Sequence, residues 1–457
     1  MAKLEVLNPA TGKVAATLPA DDAKSVAAKY ARAREAQPAW ARTRLKDRLV
    51  AIARFRELVV RDAERLAHVL TTEVGKPITQ ARNELKGVLP RIDFFLEEAA
   101  HALRSERVSN DAGMEERISH EPLGVVANIS AWNYPWFVGS NVFVPALLAG
   151  NSVLYKPSEF AALTGTEIAR LLYEAGIPRD VFIPLVGGGR VGEALLAQPI
   201  DGVFFTGSVG TGKKIAAAVA GRMVKLQLEL GGKDPIYVCD DVDVAKAAAG
   251  IADGAFYNTG QSCCSVERIY VQQSVFAPFL EAFVAEVRRF KRGDPMDDAT
   301  YIGPLTRAPQ VAVLERQVQD AVKKGARVLV GGKRPRGKGN WFEPTVLVDV
   351  DHTMAVMTEE SFGPVIGLMP VRDDSHAVKL MNDTRYGLTA GIYTRDKARA
   401  EKVLARVKSG SVYWNCCDRV SPRLPWSGVN DSGIGLTLST AGIETFTRPK
   451  AWHLRAS

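Results

Sequence analysis

The sequence predicts an α/β fold of two or three domains organised around a parallel, nucleotide-binding type of sheet, and three observations carry that reading. From Leu123 onward, short apolar strands at 124–129, 152–155, 181–186 and 202–205 alternate with helical patterns near 143–149, 163–175 and 191–197, as expected of strands buried on both faces. At 457 residues the chain is long for a single hydrophobic core. Polar residues and glycines gather just past the strand ends, where ligands bind on such sheets.

The elements follow in order. Residues 4–19, turning at Asn8-Pro-Ala-Thr-Gly12, read as two short strands along an edge. Apolar residues at three-and-four spacing predict amphipathic helices over 22–37 and 45–74, a break at Gly75-Lys-Pro77, and another long helix over 79–103. The stretch 105–122 alternates around Asn110-Asp-Ala-Gly113 and predicts a projecting hairpin, whose exposed edges suit pairing with a second subunit. Strands at 225–230 and 236–239 precede a helix that ends near Tyr257, with Asn258 and Gly260 as its stop and a strand at 269–271 beyond. A second α/β block continues through helices 275–291 and 310–324 and a strand at 327–330. Residues 449–454 read as a last strand beside the hairpin.

Composition narrows the class. An apolar fraction of 46% is ordinary for a soluble globular protein. No apolar run reaches membrane-spanning length and the start Met-Ala-Lys-Leu-Glu has no signal-peptide core, so a cytoplasmic protein without a membrane partner is expected. The net charge of +8 arises from 59 basic residues spread among 51 acidic ones, which describes a solvated surface better than a nucleic-acid site. Five cysteines, with two adjacent pairs, do not make a disulfide framework. None of the six histidines forms a metal-ligand spacing with a cysteine, so no metal is expected.

Chemistry concentrates in a few segments. Cys263 falls on a loop between a helix and a strand, the usual place for catalytic groups, although Cys263 and Cys264 equally fit small buried hydrophobes. Past the strand ends stand Ser130-Ala-Trp-Asn-Tyr-Pro135, Lys156-Pro-Ser-Glu159 and Thr206-Gly-Ser-Val-Gly-Thr-Gly212, the last opening a helix whose N-terminus suits an anion. Lys156 and Glu159 are suited to gripping a ribose. Gly187-Gly-Gly-Arg-Val-Gly192 matches a dinucleotide fingerprint but lacks the acidic residue about 20 positions on. Glu229, at a strand end before Gly231-Gly232, fits either a general base or a salt bridge with Lys225 or Lys233.

Taken together these segments resemble the aldehyde dehydrogenase superfamily, of the non-acylating, NAD(P)-dependent type. The likeness rests on Trp-Asn-Tyr-Pro at 132–135, Lys-Pro-Ser-Glu at 156–159, Phe-Thr-Gly-Ser at 205–208, Glu-Leu-Gly-Gly-Lys at 229–233, Gly-Gln-Ser-Cys at 260–263 and Glu-Glu-Ser-Phe-Gly-Pro at 359–364. The resemblance implies Cys263 as nucleophile, Asn133 and the Cys263 backbone N–H as oxyanion donors, and Glu229 as the base that activates hydrolytic water. It implies dinucleotide contacts at Ser130, Trp132, Lys156, Ser158, Glu159, Gly189, Gly207, Ser208, Leu230, Glu360 and Phe362. Glu159 favours NAD, because a carboxylate accepts from a 2′-hydroxyl and repels a 2′-phosphate, while Lys156 leaves NADP possible. The aldehyde tunnel is expected from Tyr134, Phe137, Asn141, Ser262, Val420, Arg423 and Trp426.

The resemblance also implies an architecture. A Rossmann-like nucleotide-binding domain is expected over 1–104 and 123–230, an α/β catalytic domain over 231–440, and a small bridging sheet from 105–122 with 441–457, which implies a homodimer or homotetramer. The pocket residues suit a medium-chain or aromatic aldehyde. A loop like that of some succinic semialdehyde dehydrogenases, at Ser421-Pro-Arg-Leu-Pro425, makes a semialdehyde the alternative, with Arg419 or Arg423 holding its carboxylate. Two departures stand out: Cys264 and Ser265 follow the nucleophile, and Gly435-Leu-Thr437 replaces a segment that carries a second carboxylate in many relatives. The competing classes are a CoA-acylating enzyme, against which Glu229 argues, and a binding or structural protein that kept the fold without the chemistry.

Overall fold

The computed structural model describes residues 2–111 and 113–455; Met1, Ala112 in the hairpin turn, and Ala456 and Ser457 of the expected tail segment lie outside them. The first sheet has six strands in the order Gly433–Ile434, Lys225–Glu229, Gly202–Thr206, Val125–Ile129, Ser152–Lys156 and Phe182–Pro184. Every neighbouring pair is parallel except the first. Val125–Ile129 is buried throughout, and its residues alternate between two cores. Val126 packs with Phe143 and Leu147 on one face, while Val125 and Ala127 pack with Val26 and Ala33 on the other. Helices on both faces thus explain why the strand reads as an unbroken apolar run. Deleting a ring such as Phe143, which is fully buried, costs about 3–5 kcal/mol.

A second sheet of seven strands runs Arg327–Val330, Thr345–Val348, Val365–Val371, Val266–Gln272, Asp234–Val238, Thr389–Tyr393 and Ser411–Trp414, parallel but for its first pair. The two sheets meet in a way that defines the site. Glu229 ends a strand of the first, and residues 230–233 lead directly into Asp234–Val238 of the second. Cys263 stands three residues before Val266–Gln272, and Glu360 and Phe362 just before Val365–Val371. Carboxyl ends of one sheet therefore supply the site together with amino ends of the other.

Thr447–Arg455, Met114–Pro122 and Glu106–Asp111 form an antiparallel three-stranded sheet, as the hairpin and last-strand expectations required. Lys3–Leu7 pairs with Val14–Pro19. Gly75, at φ +83°, caps the helix Ala63–Val74 in the left-handed conformation that glycine adopts without strain.

Three helices differ from expectation. The helix expected over 45–74 is two, Leu45–Arg61 and Ala63–Val74. Asp62 breaks it, held by Arg61, Arg65 and Arg170, and the apolar period continues across the break, so the pattern conceals it. The first helix runs Ala23–Arg42 through Pro38, beyond the expected end at Gln37, because buried Trp40 anchors the extra turn by donating to the Leu147 carbonyl at 3.0 Å. Pro135–Leu148 begins well before the expected 143–149; it is buried almost all round and shows no period to read. Among the described residues no helix is long and apolar enough to cross a membrane.

Candidate active site

The helix Val244–Phe256 ends in a single tight turn where Asn258 and Thr259 take φ of +52° and +58°. A β-branched residue in that region is strained, and the surroundings hold it. Asn258 N–H donates to Gln80 Oε1 at 2.9 Å, and Gln261 Oε1 accepts from Thr306 N–H at 2.9 Å. Asn258 Nδ2 donates to the carbonyls of Asn133 and Gln261 at 3.2 and 3.1 Å, while Asn133 Nδ2 donates to the same Gln261 carbonyl at 3.2 Å. This exchange ties Asn133, beyond the first sheet, to the Cys263 loop of the second, and leaves the other Nδ2 hydrogen free.

Cys263 is half-buried. The Cys264 thiol, burial and the Glu229 charge push its own thiol well above the ordinary cysteine range. Glu229 is buried; Oε1 accepts from the Trp426 indole N–H at 3.1 Å, and Oε2 accepts no hydrogen bond among the described residues. Burial pushes the Glu229 carboxyl up to about 7, against the pull of the Trp426 indole and the Cys263 thiol. A salt bridge with Lys233 is excluded, because that ammonium pairs with Glu267 at 2.6 Å. Thr437, where a second carboxylate was missed in the sequence, exchanges backbone hydrogen bonds of 2.8 and 3.0 Å with Trp426 and so fixes the indole that Glu229 leans on.

Two cavities open from this point. One, of about 260 Å³, is lined by Trp132, Gly207, Ser208, Leu230, Glu360 and Phe362 together with Asn133, Glu229 and Cys263. Trp132 and Phe362 meet edge to face at 5.5 Å. Ser208 caps the helix Val209–Val219, whose free N–H groups suit a phosphate. Glu360 accepts from Gly232 N–H at 3.1 Å, and a Cβ on Gly231 would strike its carboxyl. Burial and then the Glu267 charge raise Glu360 well above the ordinary carboxylate range. Glu267 fixes this segment by accepting from Ser361 and Phe362 N–H at 2.8 and 3.0 Å.

Ser130, Lys156, Ser158, Glu159 and Gly189 do not line that cavity and make a second group at neighbouring strand ends. Ser130 N–H donates to the Lys156 carbonyl at 3.0 Å, and Lys156 Nζ and Ser158 Oγ lie 3.9 and 3.4 Å from Glu159 Oε2. Gly189 opens the helix Gly189–Leu196 with empty space where its side chain would be. Anion-binding helix end, aromatic pair, ribose-type carboxylate and the unpartnered Glu229 oxygen together fit a dinucleotide.

The other cavity, of about 530 Å³, also reaches Asn133 and Cys263 and is lined by Tyr134, Phe137, Asn141, Ser262, Val420 and Trp426 as expected. Arg423 is a correction: it is exposed and lies outside the lining, because residues 423–425 turn their side chains to solvent once Pro422 and Trp426 face inward. Arg419 lines the cavity from an exposed position.

Several lining residues were missed in the sequence, Asp418 and Arg91 among them. Asp418, at φ +49°, accepts from Ser262 Oγ and Cys264 Sγ at 3.1 and 3.0 Å, which gives Cys264 a partner. Arg91 is buried in the helix Ile78–Ala102. The available signal was charge on the apolar stripe, since Glu84, Val88, Arg91 and Phe95 recur at helical spacing and all four are buried.

Residues 1–452 match the aldehyde dehydrogenase family. The chain is 35% identical to glutarate-semialdehyde dehydrogenase of Pseudomonas putida, over 98% of its own length and 93% of the relative's. It is 35% identical to betaine aldehyde dehydrogenase 1 of Rhizobium meliloti, over 99% and 93%. Among solved structures, an E. coli NADP-dependent enzyme superposes with a TM-score of 0.97 at 33% identity, covering 100% of this chain and 95% of that one.

Proposed function

The chain belongs to the aldehyde dehydrogenase family and is an oxidoreductase; from that premise we propose that it oxidises an aldehyde to its carboxylic acid with NAD, or NADP, through a covalent adduct on Cys263 that water releases. The observation that carries this is the position of Cys263 and Asn133, which line both cavities, so that two ligands approaching from opposite sides meet at one sulfur.

The aldehyde occupies the larger cavity with its carbonyl carbon at Cys263 Sγ. The thiol is held protonated at rest, and Glu229, titrating near 7 beside it, takes the proton as the S–C bond forms. The free Nδ2 hydrogen of Asn133 and the Cys263 backbone N–H receive the oxyanion, in a geometry already locked by Asn258 and Gln261. A bound nicotinamide supplies the hydride acceptor that converts the adduct to a thioester. Trp132, Gly207, Ser208, Leu230, Glu360 and Phe362 would hold that end of the dinucleotide, with Ser130, Lys156, Ser158, Glu159 and Gly189 toward the adenosine. Glu229 gives that first proton up to solvent and then removes one from the water attacking the thioester; the C–S bond breaks, and this second proton returns to sulfur. The indole N–H of Trp426 keeps Glu229 aimed while its second oxygen stays free for that water.

The same reading assigns nucleotide binding to 1–104 and 123–230, the catalytic cysteine to 231–440, and self-association as a homodimer or homotetramer to 105–122 with 441–457, in a cytoplasmic enzyme. The aromatic lining suits a medium-chain or aromatic aldehyde. One relative acts on a semialdehyde and another on a cationic aldehyde, which makes the charge of the substrate the variable to determine.

Absorbance of reduced nicotinamide is the test, with a panel of aldehydes, NAD and NADP, and CoA present or absent. Turnover without CoA is expected. A strict requirement for CoA would replace hydrolysis by acyl transfer and remove Glu229 from its role, whereas silence with every aldehyde would indicate a binding protein.

A further inference from the structure

We propose that Arg91 is a specificity-determining residue that takes an anionic group at the far end of the aldehyde, so that the preferred substrates are short ω-oxo acids. The proposal rests on the aldehyde-oxidising reading above and names its substrate class.

Arg91 is 6% exposed, and among the described residues it belongs to no ion pair. Three other buried cations are satisfied. Lys76 pairs with Glu84, Lys233 with Glu267, and the Arg268 guanidinium donates to the carbonyls of Lys233, Leu380 and Met381. Arg91 makes one hydrogen bond, from Nη1 to Asn141 Oδ1 at 3.0 Å, and stacks on Phe137 at 4.1 Å. A guanidinium carries five N–H donors, and leaving a buried charge unpaired costs several kcal/mol. Its remaining donors have the cavity shared with Cys263 to point into. Burial lowers its pKa only to about 10, so it stays charged at neutral pH. A planar fork of donors matches a carboxylate in two parallel hydrogen bonds, and Asn141 holds one prong of that fork in place.

Surrounding groups disfavour the opposite charge. Tyr134 and Phe137 stack at 5.5 Å, and each ring already carries a protein cation, Lys76 Nζ at 3.7 Å and Arg91 Cζ at 4.1 Å. An ammonium-bearing aldehyde would meet the unpaired charge of Arg91 and ring faces already covered by protein cations. Two acids line the cavity: Asp418 is occupied by Ser262 and Cys264, and burial raises its pKa, while Asp253 accepts from the Tyr301 hydroxyl at 2.6 Å.

The test compares succinic and glutaric semialdehyde with butanal and pentanal, using the full chain and NAD. The wild type should prefer the ω-oxo acids. Arg91→Met should lower kcat/KM for them about 10- to 100-fold more than for the alkanals, mostly through KM, as expected for one lost charge-assisted contact; Arg91→Lys should recover part of that ratio. Equal losses on both classes, or a wild type without the preference, overturn the proposal. A measurement independent of any variant is inhibition of the wild type by glutarate against pentanamide: competition by glutarate alone is expected, and equal inhibition overturns the assignment. Alkanal turnover without an ω-oxo acid preference removes Arg91's role and leaves the enzymatic reading standing. Glutarate binding that Arg91→Met abolishes, with no aldehyde turned over, keeps the anion site and removes that reading.

Discussion

The cavity carrying Trp132, Ser208, Glu360 and Phe362 takes most of its walls from residues directly beyond or before strands, with Arg307, Gln310 and Val313 added by the start of a helix, whereas the cavity carrying Tyr134, Arg91 and Asp418 is walled mainly by helix and loop segments from distant parts of the chain. The first is framed by backbone: helix N–H groups, a glycine that admits Glu360, and short polar residues at strand ends. The second is framed by side chains, four of them charged, of which Arg91 is buried. The contrast separates what is common to a reaction from what selects a substrate. A cofactor-type site is read from local motifs because its donors are backbone groups that local sequence positions. A selecting site depends on which long side chains converge, and many sequences can supply those.

Substitutions can break or sharpen that division. Cys263→Ala removes the sulfur that both cavities share and should give the largest loss, at least about 10⁴-fold in kcat, judged from the removal of other enzymes' nucleophiles; mass spectrometry should find no covalent acyl adduct. Glu229→Gln should slow thioester hydrolysis by about 10²- to 10⁴-fold and the attack of the thiol by less, giving a slowed burst of reduced nicotinamide and an acyl-enzyme. A steady linear rate with no burst would make deprotonation of the thiol, not hydrolysis, the step that Glu229 limits. Asn133→Ala should cost about 10²- to 10³-fold for charged and uncharged aldehydes alike, since the oxyanion is common to both.

Smaller changes probe one side at a time. Glu159→Gln should raise kcat/KM for NADP relative to NAD, by about tenfold if one charge repulsion near 1.4 kcal/mol is relieved, with aldehyde preference unaltered. An unchanged cofactor ratio would detach Glu159 from the ribose. The smallest effect concerns pH. Glu229 must be ionised to act as base, so hydrolysis should rise with pH through about 7. The Trp426 indole favours the carboxylate, so Trp426→Phe should move that limb to higher pH; movement to lower pH would contradict the hydrogen bond.

Much of this was legible in the chain itself. Strand ends at Ile129, Lys156, Thr206 and Glu229 carried their chemistry in contiguous residues, and each of Trp132, Ser208, Glu229, Glu360 and Phe362 reached the cleft expected for it. Helix limits were less legible. The break at Asp62 depends on Arg170, more than a hundred positions away, and the early start of Pro135–Leu148 is hidden because a helix buried on all sides has no polar face to set its period. Arg423 was read as a substrate contact from its loop, but only the packing of Pro422 and Trp426 decides which way that loop faces.

By itself, the sequence determined the class of fold and pointed to Cys263, Glu229 and the cleft beside them, because alternating strand and helix periods and short strand-end motifs are properties of neighbouring residues. Only the tertiary structure decided that Asn133 is fastened to the Cys263 loop through Asn258, that Glu229 leans on Trp426 rather than a lysine, and that Arg91 lines the cavity with no ion-pair partner among the described residues. Those facts rest on contacts between residues far apart in the chain, and on burial. A charge on a helix reads as solvated until the packing of the rest shows that water has been excluded around it.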